Sequence, residues 1–327
     1  MNDAKTILVT GGAGYIGSVL VRLLLARGWR VRVLDRLLAG GESLLELFDH
    51  ERFEFCRGDI RDPETVARAV AGCYGVAHLA AIVGDPACRA QPELARSTNL
   101  DGSRLLLEAA RRAGVPRFVF ASTCSNYGKM PDPEQYVDET SPLAPVSLYA
   151  ETKVAFEREL IECSRADGLV GTALRFATVY GVSPRLRFDL TVNEFTRELA
   201  LGRELVIFGE HFWRPYCHVR DLAAADLAVI EADPARVAGE VFNVGDTAEN
   251  YTKKMIAEAL LRQIPEGRIR YVHRTEDPRD YRVSFDKIRR VLGFQISRRV
   301  PDGIAEILRL LRSGLLSNPD APQYANV

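Results

Sequence analysis

The 327-residue sequence predicts an α/β fold on a doubly wound parallel sheet, followed by a smaller α/β unit toward the C-terminus. Three observations carry this. Short β-branched runs alternate with helix-periodic segments through the first half of the chain. A glycine cluster, VTGGAGYIGS at 9–18, lies between the first such run and the first such helix. After about residue 180 the alternation gives way to arginine-rich, loop-like stretches.

The elements follow in order. KTILVT at 5–10 reads as a buried strand, and YIGSVLVRLLLARG at 15–28 contains a helix stopped by Gly28. RVRVLD at 30–35 and RFEFCRGDI at 52–60 are the next strands. DPETVARAVAG at 62–72 carries its own punctuation, with Asp62 as N-cap, Pro63 in the first turn and Gly72 past the end. GVAHLAA at 75–81 is a fourth strand, 92–114 contains a long helix stopped by Gly114, and RFVFAS at 117–122 is a fifth strand. A second long helix occupies 147–168, and GTALRFATVYG at 171–181 reads as a sixth strand. SPRLRFDL at 183–190, FGEHFWRPY at 208–216 and RTEDPRDYRVS at 274–284 read as loops. EVFNVG at 240–245 reads as a returning strand, with helices expected around 252–262, 285–292 and 302–313. The tail 317–327 is expected to be poorly ordered. Two domains result: 1–180 with the returning segment 219–246, and 181–218 with 247–327.

Composition excludes several classes. The 43 basic residues are cancelled by 44 acidic ones, so nothing points to nucleic acid or an anionic membrane as a partner. No stretch of about 18 apolar residues exists, and the N-terminus lacks a signal-peptide pattern. The expected location is cytoplasmic. The six cysteines share no CxxC spacing and sit in no Cys/His cluster, so neither a disulfide scaffold nor a metal site is read.

The glycines carry the first chemistry. Gly11, Gly14 and Gly17 lie three apart, after a strand and before a helix. That context lets a backbone turn touch a pyrophosphate at a helix N-terminus, as in a Rossmann dinucleotide site. Asp35, at the end of the second strand, can accept hydrogen bonds from the ribose hydroxyls of NAD and would repel a 2′-phosphate. Arg36 beside it softens that preference.

Tyr149 and Lys153 are four apart on a helix and share a face. A free tyrosine has a pKa of about 10. A neighbouring ammonium favours phenolate, so the pair suits a general base with its activator. Ser122 and Thr123 stand at the end of the fifth strand, where ligands gather in such sheets.

With these residues in place, the chain resembles the extended short-chain dehydrogenases/reductases, and within them the NAD-dependent nucleotide-sugar epimerase/dehydratase group. TGGAGYIG, Asp59-Ile60, HLAA at 78–81, Asn99, STCSNYG, YAETK, RFATVYG and RPYCHVRD fall in that family's order. The resemblance implies a Rossmann sheet with a smaller C-terminal substrate-binding domain. It implies that Thr123, Tyr149 and Lys153 are catalytic: Thr123 holds the hydroxyl being oxidised, Tyr149 takes its proton, and Lys153 holds the nicotinamide ribose. Tyr15 and Ile16 belong to the cofactor motif, as do Asn99 and Ser122. Asp59 and Ile60 would flank adenine, and Ala80 and Ala81 would line the groove. Arg214 and Arg279 look like diphosphate contacts, Asn193 like a substrate-loop residue, and Cys124 and Ser125 like substrate contacts. The implied partners are a nucleotide-diphosphate sugar and a second copy of the chain, docked through 92–113 and 145–167.

The chain departs from its relatives at one informative place. Sugar 4,6-dehydratases carry Asp-Glu directly after the catalytic Thr, and decarboxylating relatives keep the glutamate. Here these positions are Cys124 and Ser125. The expectation is therefore a nucleotide-sugar 4-epimerase, with a 4-keto-sugar ketoreductase as the alternative. A non-catalytic NAD-binding protein fits less well, because Thr123, Tyr149 and Lys153 are all present. His78 and His218 are read as structural.

Overall fold

The computed structural model describes residues 5–130, 132, 135–273 and 279–326. Residues 274–278 of the last arginine-rich stretch, and Val327, lie outside these. The strands in chain order are β1 (Thr6–Thr10), β2 (Arg30–Asp35), β3 (Phe53–Arg57), β4 (Gly75–His78), β5 (Arg117–Thr123) and β6 (Val170–Phe176), then β7 (Thr178–Tyr180), β8 (Glu204–Phe208), β9 (Trp213–His218), β10 (Glu240–Val244), β11 (Asn250–Thr252) and β12 (Arg268–Val272). The helices are α1 (Gly17–Ala26), α2 (Pro63–Val70), α3 (Asp85–Ala90), α4 (Pro92–Arg96), α5 (Ser103–Arg112) and α6 (Leu148–Asp167), then α7 (Thr191–Ala200), α8 (Val219–Glu231), α9 (Pro234–Val237), α10 (Lys253–Leu261), α11 (Asp286–Leu292) and α12 (Val300–Arg312).

Seven strands form one sheet in the order β3-β2-β1-β4-β5-β6-β10, and every pairing is parallel. Parallel sheets bury both faces, and the alternation along each strand shows it. Ile7, Val9, Val31, Val33, Val119 and Leu174 enter one core with α1 and α8, while Leu8, Leu34, Phe118, Phe120 and Ala173 enter another with α2, α5 and α6. Strand order reverses between β1 and β4, and ligands bind at such a switch point in open α/β sheets. β10 is the returning strand, paired with β6.

Five sequence expectations need correction. The helix expected within 92–114 is broken into α4, a π turn at 97–102, and α5; the wider turn buries Asn99. The single strand expected at 171–181 splits at Ala177: β6 belongs to the large sheet, while β7 pairs with β9 in a three-stranded sheet completed by β11. FGEHFWRPY is not a loop, for it holds the end of β8 and the start of β9; β8 pairs in parallel with β12. Helices α7 and α8 lie in stretches for which no helix was expected. α7 packs with α10 and α12 to form a core around Tyr180, Val192, Leu205, Ile207, Ile256 and Ile304, whereas α8 packs into the first core beside α1. The described part of the tail is seated rather than loose. Phe188 donates its backbone N–H to Tyr324 O at 2.6 Å, and the two rings meet edge to face at 5.7 Å.

Candidate active site

The glycine turn is as tight as the sequence requires. Gly11 has φ +73°, and a Cβ there would meet the backbone of Ala80 at 2.8 Å. A Cβ on Gly17 would lie 2.2 Å from Gly11 O, so the start of α1 rests directly on the turn. α1 has no side-chain cap and no acid in its first turn, which leaves its N–H groups and partial positive charge for an anion. Gly14 donates to Gly11 O at 3.0 Å and accepts from Ser18 N at 3.0 Å. Ala80 and Ala81 are half-buried across from this turn, and Ala80 N donates to Thr10 Oγ1 at 3.3 Å.

Asp35 closes the crevice at the end of β2. Its carboxylate accepts from Ala13 N at 3.0 Å and from Leu37 N at 2.8 Å, and burial raises its pKa against the pull of these bonds. Leu37 has φ +64°, a conformation that a leucine adopts only when its surroundings impose it. Arg36 reaches Asp59 at 3.1 Å, and its Nη1 is buried with no hydrogen-bond partner. A buried donor left in this way fits an acceptor supplied by a ligand. Asp59 is also held by Arg61 at 2.7 Å; against burial, which would raise it, these bonds keep its carboxyl low. Ile60 is buried in the core beneath. The uncapped helix, the glycine cradle and the orphaned guanidinium nitrogen together fit the adenosine diphosphate half of NAD.

The reactive end lies where β5 meets α6. Ser147 caps α6, accepting from Ala150 N at 3.3 Å, which fixes the first turn that carries Tyr149. Lys153 is buried and donates to Ala121 O at 2.7 Å; its Nζ lies 5.8 Å from the Tyr149 ring centre. Burial pushes the Lys153 ammonium down to about 7. The tyrosine departs from expectation. Burial, with lesser help from Cys88 and Asp85, pushes its hydroxyl well above the ordinary value, and Arg187 opposes the rise. Desolvation is the largest influence on the tyrosine, while the lysine ammonium is directed at a strand carbonyl.

Beneath the pair lies a buried polar network. Arg175 on β6 donates to Glu157 on α6 at 2.6 Å and to Tyr127 Oη at 2.8 Å. Ser122 Oγ donates to Glu157 at 2.5 Å, and Tyr127 donates to Asn243 on β10 at 2.7 Å. Tyr149, Lys153 and Glu157 are spaced by four and share one face of α6.

Several residues expected to contact ligands also bond the scaffold. Ser122 is consumed by Glu157, because its strand position turns it inward. Cys124 is buried and donates to Arg175 O at 3.2 Å, and burial raises its thiol well above the ordinary value. Asn99 clamps the loop after β4 with two bonds to Ile82, at 2.7 and 2.9 Å. Asn193 is fully buried and bonded to Gly181, Tyr15 and the Arg187 carbonyl. Tyr15 donates to Gly181 O and so ties the glycine turn to the 181–187 loop. Ile16 packs against the core.

Contacts link Thr123, Arg214 and Arg279 to residues that neighbour Tyr149. Thr123 Oγ1 accepts from Ser125 N at 3.1 Å at the head of the turn 124–127. The Arg214 guanidinium stacks over Tyr281 at 5.4 Å. Arg279 bridges to Asp85 at 3.0 Å. Sequence reasoning passed over Tyr281 and Arg187. Tyr281 is buried, hydrogen-bonds the Ser125 side chain and is close enough to Tyr149 to affect its titration. Arg187 pairs with Asp189 at 2.9 Å and lies over the Tyr15 ring. The arginine density of SPRLRFDL was its only signal.

Residues 7–245 match the profile of the NAD dependent epimerase/dehydratase family. The chain belongs to the NAD-dependent epimerase/dehydratase family. Among its relatives, a dTDP-glucose 4,6-dehydratase of Streptomyces niveus is 35% identical over 94% of this chain and 92% of its own. A UDP-glucose 4-epimerase of Lacticaseibacillus casei is 32% identical over 89% of this chain and 91% of its own. Among solved structures, DesIV, a dTDP-glucose 4,6-dehydratase from Streptomyces venezuelae with NAD and TYD bound, superposes with a TM-score of 0.84 at 30% identity, covering 94% of this chain and 97% of that one. Both reaction types thus stand beside this family member. Among the described residues no helix is long and apolar enough to cross a membrane.

Proposed function

We propose that the protein is an NAD-dependent nucleotide-sugar 4-epimerase of the cytoplasm. One observation carries the choice. The position after Thr123, where dehydratases hold a carboxylate, is a buried thiol bonded to the Arg175 carbonyl, and Ser125 follows it. Neither side chain is an acid or base suited to moving a C5 proton and expelling the C6 hydroxyl. Epimerisation at C4 needs neither.

NAD supplies the hydride acceptor and donor, and in its oxidised form a cationic ring that favours phenolate. The glycine turn, the α1 N-terminus and Asp35 would hold it. Tyr149 takes the C4 hydroxyl proton and returns it after the ketone has presented its other face. Lys153, one helical turn beyond Tyr149 on the same face of α6, offsets charge that develops on the tyrosine. Arg214 and Arg279 would hold the sugar diphosphate, since a planar guanidinium fork suits phosphate oxygens. Residues 181–218 and 247–327 would form the substrate-binding domain. A homodimer would form through 92–113 and 145–167.

The test is turnover of UDP- and dTDP-linked glucose in D2O, followed by proton NMR. C4 inversion with no deuterium on carbon is expected, because the hydride never meets solvent. A 4-keto-6-deoxy product with deuterium at C5 would establish dehydration instead. A requirement for added NADH, with a C4 alcohol formed from a 4-ketone, would establish the reductase.

A further inference from the structure

We propose that Glu210, His211 and His273 form a binding site for one zinc-class divalent cation, away from Tyr149, which clasps two substrate-side segments together. The three residues come from two places in the sequence. Glu210 and His211 occupy the turn between β8 and β9, and His273 follows β12 directly. Parallel pairing of β12 with β8 brings them together: Val272 lies opposite Phe208, and Gly209 N donates to Val272 O at 3.1 Å. Gly209, with φ +59°, turns the chain so that the next two side chains share one side with His273.

The donor set is that of a transition metal. One ligand atom from each residue lies within 4.8 Å of the other two. The imidazoles stack at 5.4 Å with 28° between their planes, and His273 Nδ1 is 3.7 Å from Glu210 Oε1. The second carboxylate oxygen of Glu210 is buried without a hydrogen-bond partner. Two imidazoles and one carboxylate match the His2Glu ligand set, with a fourth position left for water. Tetrahedral zinc at about 2.0–2.1 Å from each ligand needs donor atoms about 3.3 Å apart. Rotation of the two exposed imidazoles closes that gap. Glu210 is the fixed member, since its backbone carbonyl accepts from Lys254 N at 2.9 Å. Two of the five histidines of the chain are spent on this one spot.

The position gives the site a consequence. Arg214 lies three residues beyond His211 on β9, and His273 begins the connection that ends at Arg279 and Tyr281. A bound cation therefore fastens together the roots of both segments expected to hold the sugar diphosphate. It touches no reacting group and is structural.

The experiment is titration of chelator-treated protein with Zn2+ by calorimetry and with Co2+ by absorption. The wild type should bind one equivalent. His211→Ala, His273→Ala and Glu210→Gln should each weaken binding at least tenfold, while His50→Ala should not. The Co2+ complex should show tetrahedral d–d bands without thiolate charge transfer. Zn2+ should raise the melting temperature of the wild type and not that of His273→Ala. Absence of saturable binding, binding that survives all three substitutions, or a thiolate band from Cys56 or Cys163 would each overturn the proposal. None of these readouts depends on turnover, so a different reaction would leave the site standing.

Discussion

Glu157→Gln should destabilise the fold far more than its conservative shape suggests. Glu157 and Arg175 form an ion pair 2.6 Å long, with side chains 3% and 5% exposed. The carboxylate also accepts from Ser122 at 2.5 Å and Asn126 at 3.4 Å. Glutamine keeps the volume but removes the charge, and it turns an NH2 group toward donors. The buried guanidinium is then left uncompensated, which costs about 3–5 kcal/mol. Urea unfolding followed by Trp29 and Trp213 fluorescence reads this as a lower midpoint at an unchanged slope. The double change Glu157→Leu/Arg175→Met should recover most of the loss, because apolar groups of similar volume replace a buried pair at little cost. A single variant within about 1 kcal/mol of wild type, or a double variant worse than the single, would refute the reasoning.

Tyr149→Phe should cut turnover by about 10²–10⁴-fold while NAD released on denaturation stays stoichiometric; full activity removes the tyrosine from the chemistry. Gly17→Ala should strip the protein of NAD and lower its unfolding midpoint, since the new Cβ would lie 2.2 Å from Gly11 O; retained cofactor would show that the turn yields. Asp226, buried on α8 with neither carboxylate oxygen hydrogen-bonded, is held well above the ordinary range by burial. Its folded form keeps the proton that the unfolded chain releases near pH ~4, so its contribution to stability falls as pH rises above that value. The unfolding midpoint of Asp226→Asn should therefore gain on wild type between pH 4 and pH 8; a constant difference would refute this.

Much of the fold was legible because its signals are local. Strand runs, the Asp62 cap and the Gly28, Gly72 and Gly114 stops each report a conformation that the neighbouring residues impose. The glycine turn and the Tyr149–Lys153 spacing were legible for the same reason. What escaped depends on long-range packing. Ser122, Asn99 and Asn193 sit within motif positions, yet their side chains turn inward to partners far off in the chain. Tyr281 enters the cleft from a stretch with no periodic pattern. β9 was missed because Pro215 and the aromatic residues around it read as a loop, whereas pairing with β7 and β11 makes it a strand. His211 and His273 are 62 residues apart, and only the β8–β12 register joins them.

The division of 171–181 between two sheets has a mechanical consequence. β6 is bonded along β5 and β10, and after one residue the same extended run is bonded along β9. The chain thus joins the two sheets as one extended run, bonded to each. The junction residue is held as well, since Ala177 N donates to Val244 O at 3.2 Å and leaves no unbonded hinge between the sheets. The 181–190 segment that follows is itself held at both ends, by Tyr15 on the Gly181 carbonyl and by the Phe188 N–H on Tyr324 O, so the constraint runs on past the second sheet.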